Sequence, residues 1–443
     1  MSILEARDAR SRVRPAEAER SPRVRHDRDL SIDVARAWCL LVVVVLHASM
    51  VGIGVVRGGL VVGNALEGWD GFASASWFVQ VMPLFFVLGG ASGYLHWTRV
   101  ERDGGGRRAF VADRVRRLLV PAVGAAAAVV VLLVVLSIVG VDGSLVAEAG
   151  FRASQPLWFL GVYLLCSCAV PLAVAAHRAR PATTFAVLVG AAALVEVLRV
   201  VGAPPIVAVA NLLFVWLLVQ QLGFLLADGT IDRVPRDVLL PGAVVAVAVA
   251  LAMCSWGVGS FDLIAALNPP SAVLVVVGIA QLLVFAALRP TLRRLARRRG
   301  IGRVVRAVNE RAMTIYAWHM LALLGLAGLL ATSGLPLPDP LGSEWWATRP
   351  LWLLASLVAV ATVVAFAGGI ELRRGPSSRS AVRGGRLRVA TAVTVASVGT
   401  LGVLVSGGAI LGWLIALAGW SAAIASLRSG SGREAAAPSR AER

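Results

Sequence analysis

Long apolar runs alternate with short polar breaks along almost the whole chain. Runs of roughly membrane-spanning length fall at 37–56, 76–96, 118–140, 156–176, 182–201, 206–227, 238–257, 271–290, 312–333 and 350–370. At a rise of about 1.5 Å per residue, a helix of about 20 residues crosses a hydrocarbon layer of about 30 Å. A further run, 389–427, is too long for one ordinary span. It is read either as one long tilted helix or as two short ones turning at Gly407-Gly408. The pattern predicts an all-α, polytopic membrane protein with about ten core spans and one or two more at its C-terminal end. The expected organisation is a tail over 1–29, a helical membrane domain over 30–370, a basic loop over 371–388, the additional segment 389–427 and a tail over 428–443. Both tails lack apolar periodicity and are expected to be disordered.

Composition supports this and narrows it. Hydrophobic residues make up 58% of the chain and charged residues 15%, which excludes an ordinary soluble domain. The net charge is +18, and every basic residue is an arginine. The arginines cluster in alternate loops, at 99–117, 289–311 and 371–388, whereas the intervening loops of the first ten segments carry Arg57, Arg152 and Arg349. That asymmetry predicts a cytosolic N-terminus, and the expected location is the plasma membrane. The mildly basic tail after Leu427 favours a cytosolic C-terminus and twelve spans, with eleven as the alternative. The bilayer is thus an expected partner, and nucleic acid is not, because the charge sits between apolar runs rather than on one soluble domain. Cys39, Cys166, Cys168 and Cys254 lie in apolar segments without disulfide or zinc spacing, so no metal site is expected.

Ionisable residues inside spanning segments cost free energy and persist where they meet a partner, water or a substrate. Arg36 and His47 head that group. Eleven residues apart, they fall within about 20° of one helical face and about 16 Å apart along the axis. His319 lies in the ninth span with Tyr316 one turn before it on the same face. Glu196 and Arg199, three apart, read first as a structural ion pair and second as an acceptor-binding pair. Asn211, Gln220, Gln221 and Gln281 suit hydrogen bonds between helices. Gly89, Gly90 and Gly93 permit close approach of a helix or a ligand. His96 reads as interfacial, and His26 and His177 fall outside the spans. Arg114 and Arg117 stand one helical turn apart before the third span, next to Arg116, and guanidinium groups suit phosphate oxygens.

Together these motifs resemble the membrane acyltransferase-3 family. "DVARAWCLLVVVVLH" is similar to its first-helix arginine–histidine signature, matched by Arg36 and His47. Arg114 and Arg117 match its Arg-x-x-Arg pattern. "MPLFFVLGG", "PLWFLGVYLL" and "IYAWHM" resemble its Phe-Phe-x-x-Ser-Gly, Leu-Trp-Phe-Leu and Ile-Tyr-x-x-His elements. Gly89 stands where the family has serine. The resemblance covers about residues 30–370 and leaves the run beyond 389 additional. It implies a ten-span enzyme that moves an acyl group, often acetyl, from cytosolic acyl-CoA to a hydroxyl of a glycan, lipid-linked saccharide or secondary metabolite. Acyl-CoA is then a co-substrate, and no bound cofactor is expected. On this reading His47 and Arg36 are catalytic, Arg114 and Arg117 bind acyl-CoA, and Tyr316, His319, Glu196 and Arg199 are accessory or acceptor-binding. The alternative is a multispanning transporter or flippase lining its pathway with the same His and Arg, although the paired broken repeats common in transporters are missing from the sequence.

Overall fold

The computed structural model describes residues 29–56, 59–372 and 385–427. The two expected tails, apart from Asp29, and most of the 371–388 loop lie outside the described residues. Fifteen α-helices and one β-hairpin form a single bundle among the described residues. Eleven helical stretches are long and apolar enough to cross a membrane, and a twelfth apolar helix has 17 residues. The protein is an all-α polytopic membrane protein. Helices at its rim, such as α7 (Pro181–Val200) and α9 (Arg236–Ser255), expose large apolar side chains including Val187, Leu194 and Val244, as lipid-facing helices do.

α1 (Leu30–Met50) runs through the middle of the bundle and packs against α3 (Met82–Arg102), α10 (Val273–Arg297), α12 (Ala312–Thr332) and α13 (Ser343–Leu372). Asp29, placed by its sequence at the end of the tail, is its N-cap and accepts from the Ser31 amide at 3.0 Å. The same carboxylate accepts from Arg289 at 2.7 Å and Arg293 at 2.9 Å, and Arg289 also pairs with Asp232. Asn309 Nδ2 donates to the Asp33 carbonyl at 2.8 Å. These contacts gather the starts and ends of α1, α10 and α11 (Arg299–Glu310) on one face, the N-terminal face.

Two predicted spans differ in detail, and a third takes one of its two expected forms. The 37–56 run is not helical throughout: α1 stops at Met50, and β1 (Val51–Val56) turns back antiparallel to β2 (Gly59–Asn64). β-branched Val and Ile beside glycine suit an extended pair there better than a continued helix. The 76–96 run is split into α2 (Phe72–Val79) and α3, with Pro83 in the first turn of α3. A break at membrane depth leaves backbone groups unpaired. Gln281 of α10 satisfies two of them, accepting from the Leu84 amide at 2.8 Å and donating to the Gln80 carbonyl at 2.5 Å. The 389–427 run is two helices, α14 (Arg386–Val405) and α15 (Ile410–Ser426), turning through Gly407 and Gly408 at positive φ.

α3 and α8 (Asn211–Ala227) meet backbone to backbone. A Cβ on Gly223 would lie 2.0 Å from the Val87 carbonyl oxygen, and one on Gly90 would lie 2.3 Å from the Gln220 carbonyl oxygen. Glycine is required at both positions, and the close approach draws α3 inward.

Burial alone would raise the Asp29 carboxyl, but hydrogen bonds from Arg293, Ser31 and Arg289 outweigh it and hold the group well below the usual carboxylate range. Its stabilising contribution is therefore complete above the unfolded value of about 3.9 and is lost as pH falls through the lower folded value. Asp29→Asn is expected to lower stability at neutral pH by about 1–2 kcal/mol, discounted because Arg293 is half exposed. Thermal unfolding in detergent checks this, and the gap between wild type and variant should narrow only below about pH 4.

Candidate functional site

Arg36, Leu40, Val43, His47 and Met50 recur along α1 at alternating spacings of four and three, so they form one stripe. All five line a cavity of about 700 Å³ in the middle of the bundle. The spacing seen in the sequence therefore places Arg36 and His47 on one continuous wall. α3 and α4 (Arg107–Ile138) supply Phe85 and Arg117 to it, and α6 (Leu157–Ala179) supplies Trp158, Phe159 and Tyr163. Asn309, Glu310 and Met313 line it near the N-terminal face, whereas Asn64, Ile264 and Leu404 line its far end.

A second cavity of about 200 Å³ lies beside it, lined by Arg36, Arg114, Arg117, His96, Gly89 and Ser92 among others. Arg36, Arg117 and Tyr163 line both cavities and so mark the neck, the boundary where the two adjoin. Among the described residues, none of Arg36, Arg114 and Arg117 makes an ion pair, in contrast to Arg152, Arg178, Arg199, Arg289 and Arg293. Arg36 lies 6.0 Å from the Phe85 ring centre and Arg114 5.1 Å from that of Phe110, contacts that do not neutralise charge. These three guanidinium groups share the space without an ion pair among the described residues, although Asp113 adjoins Arg114 and Glu310 lines the large cavity, and such a set suits an anion.

His47 Nδ1 lies 2.9 Å from the Val43 carbonyl oxygen. A carbonyl only accepts, so Nδ1 carries the proton and Nε2 of the neutral ring keeps the lone pair. His319 repeats this arrangement: its Nδ1 donates to the Tyr316 carbonyl at 2.8 Å, and its Nε2 is buried without a hydrogen-bond partner among the described residues. The two rings lie 5.1 Å apart, although His319 itself does not line the cavity. Tyr316 does line it, and its hydroxyl donates to the Pro156 carbonyl at 2.5 Å.

Glu196 and Arg199 are not brought to either cavity. They pair with each other at 2.5 Å, and Glu196 also accepts from Asn211 at 3.3 Å and the Ala272 amide at 3.2 Å, tying α7 to α8 and to the start of α10. Their first, structural reading describes this placement. His96, read as interfacial, lines the smaller cavity, and His177, read as lying outside the spans, is buried and donates to Asp228 at 3.0 Å.

The sequence reading passed over Tyr163. A Cβ on Gly89 would lie 3.0 Å from Tyr163 Cε2 and 3.3 Å from its hydroxyl, so the missing side chain at residue 89 leaves room for this ring. Tyr163 stacks on Phe159 with centres 5.1 Å apart. A usable signal existed: the chain has three tyrosines, and two of them, Tyr163 and Tyr316, line the large cavity. The short helix α5 (Gly143–Ser154) was missed as well, and it brings Phe151 and Ser154 to the wall.

Residues 29–368 match the family described as Acyltransferase domain. The chain belongs to the acyltransferase-3 family. This membrane acyltransferase has no match among curated proteins or solved structures. The assignment favours the enzyme over the transporter reading, and both cavities are built within the matched residues apart from Leu404.

Gly89→Val is expected to push the Tyr163 ring into the neck and to lower acyltransferase turnover by about tenfold or more, while Gly89→Ala, a tight but smaller intrusion, costs only a few-fold. Steady-state kinetics on the purified variants, with thermal unfolding as the control for folding, measure both.

Proposed function

We propose that this membrane acyltransferase moves an acyl group, most simply acetyl, from acyl-CoA to a hydroxyl group, with His47 as the base. The observation that carries the proposal is the set Arg36, Arg114 and Arg117, without ion pairs among the described residues, on a cavity that shares Arg36, Arg117 and Tyr163 with the one that His47 lines. The phosphates of coenzyme A supply the charge this set lacks, and paired guanidinium donors suit phosphate oxygens. The thioester end then passes the neck between Arg36, Arg117 and Tyr163 toward His47. The N-terminal face, where the arginine-rich ends of α3, α10 and α11 gather, is assigned to the cytosol by the positive-inside bias, and acyl-CoA is a cytosolic donor.

In the transfer itself, the acceptor oxygen attacks the thioester carbonyl. A C–O bond forms, the C–S bond breaks, and the hydroxyl proton moves to His47 Nε2 and then to the departing thiolate. The Val43 contact holds the tautomer that makes Nε2 available. His319, packed against His47 with an Nε2 that has no hydrogen-bond partner among the described residues, supports the ring and its transient charge. Tyr316, bonded to Pro156, fixes the wall between α6 and α12. The acceptor approaches from the end of the cavity opposite the arginines, because the donor fills the arginine end.

Label transfer from acetyl-CoA by membranes containing well-expressed variants tests this reading. His47→Ala is expected to lower kcat by about 10²–10⁴-fold, the range typical of a lost general base. Arg117→Ala is expected to raise the KM for acetyl-CoA by about 10–100-fold with a smaller change in kcat. Full turnover by His47→Ala would remove this histidine from the chemistry.

A further inference from the structure

The far end of the large cavity is walled by pieces of chain distant in sequence. Met50 closes α1, Phe151 comes from α5, Leu212 from the start of α8, Ile264 and Leu267 from the loop before α10, and Leu404 from α14. All six are apolar. Three of the polar side chains that share this wall, Gln80, Ser154 and Asn64, are already engaged with the protein's own backbone. Gln80 donates to the Leu263 carbonyl at 2.6 Å and accepts from the Met82 amide at 3.1 Å. Ser154 donates to the Phe151 carbonyl at 2.7 Å, and Asn64 accepts from the Leu66 amide at 3.1 Å. Gln155 and Asn268 are the lining amide side chains without a hydrogen bond among the described residues.

Part of this wall lies outside the matched residues 29–368, in the α14–α15 hairpin. The hairpin is gripped at both faces of the bundle. At the far face, a Cβ on Gly150 of α5 would lie 2.3 Å from the Gly408 carbonyl oxygen, so the two backbones touch. At the N-terminal face, Arg116 donates to the Leu427 carbonyl at the end of α15. The first contact sits one residue before Phe151, so the hairpin sets the position of the α5 wall as well as supplying Leu404.

A polyhydroxylated sugar placed at this end would bury hydroxyls with few free partners, whereas a hydrocarbon body would gain by leaving water. We propose that the acceptor is an amphiphilic alcohol, its hydroxyl carried on an apolar body that fills the far end of the cavity against Phe151, Ile264 and Leu404. This rests on the acyl-CoA reading of the arginine end and adds the chemical class of the second substrate. It also makes the C-terminal hairpin a specificity element rather than an appendage.

The test uses the full chain in detergent with a diazirine-bearing decanol as photoprobe. Saturable labelling is expected in peptides containing Phe151, Ile264 or Leu404, displaced by decanol and not by glucose. Leu404→Trp should cut that labelling by about fivefold or more by filling the space, and Leu404→Ala, which enlarges it, should not. With acetyl-CoA as donor, decanol should be acylated about tenfold faster than glucose at equal concentration. Labelling that spreads without saturation over lipid-facing helices, or displacement by glucose, would overturn the proposal. So would turnover that rises with acyl-CoA chain length while decanol and glucose react equally, since the apolar wall would then belong to the donor. Saturable labelling without turnover of any acyl-CoA would uphold the apolar subsite and reject the acyl-CoA reading; turnover without saturable labelling would do the reverse.

Discussion

Like charges gathered in one place repel until an anion joins them, and this fold places three guanidinium groups without ion pairs among the described residues around one small space, Arg36 and Arg114 half-buried and Arg117 exposed. Every other part of the site is arranged with respect to that repulsion. α1 carries Arg36 on the same stripe as His47, so the helix that introduces the charge also leads from it to the imidazole. α4 adds Arg114 and Arg117 one turn apart. The rings of Phe85 and Phe110 lie beside Arg36 and Arg114, and Tyr163 lines the same small cavity, without neutralising their charge.

The scaffold keeps this arrangement open by closing elsewhere. α3 and α8 touch through Gly90 and Gly223, and Gly89 yields its space to Tyr163 at the neck. The three glycines that the sequence groups together thus serve different ends: Gly90 admits a helix, Gly89 admits a ring, and Gly93 faces Val170. Asp29 anchors the start of α1 to α10 and fixes the depth at which Arg36 and His47 sit. The C-terminal hairpin braces α4 and α5 from outside the matched domain.

Much of this was legible in the sequence because a membrane filters its residues severely. Apolar run lengths gave the spans, and helical periodicity put Arg36 and His47 on one face before any coordinates. Arg114 and Arg117 were found the same way. The misses have physical reasons. Tyr163 looked like one aromatic among many, and its importance arises only when α3 and α6 pack and residue 89 lacks a side chain. The α2–α3 break is invisible to hydropathy because both halves are apolar and the partner that satisfies the broken backbone, Gln281, lies far along the chain. Glu196 and Arg199, by contrast, form the structural ion pair that was their first reading, and packing adds that the carboxylate also accepts from Asn211 and Ala272.

The central claim is that Arg36, Arg114 and Arg117 hold the phosphate end of a donor whose reactive end lies beside His47. A cryo-electron microscopy structure of the full chain with bound coenzyme A measures this most directly. The account predicts phosphate density within about 3 Å of the Arg114 and Arg117 guanidinium groups and the thiol in the cavity lined by His47. Coenzyme A bound elsewhere, or bound there with its thiol directed away from the neck, would contradict it.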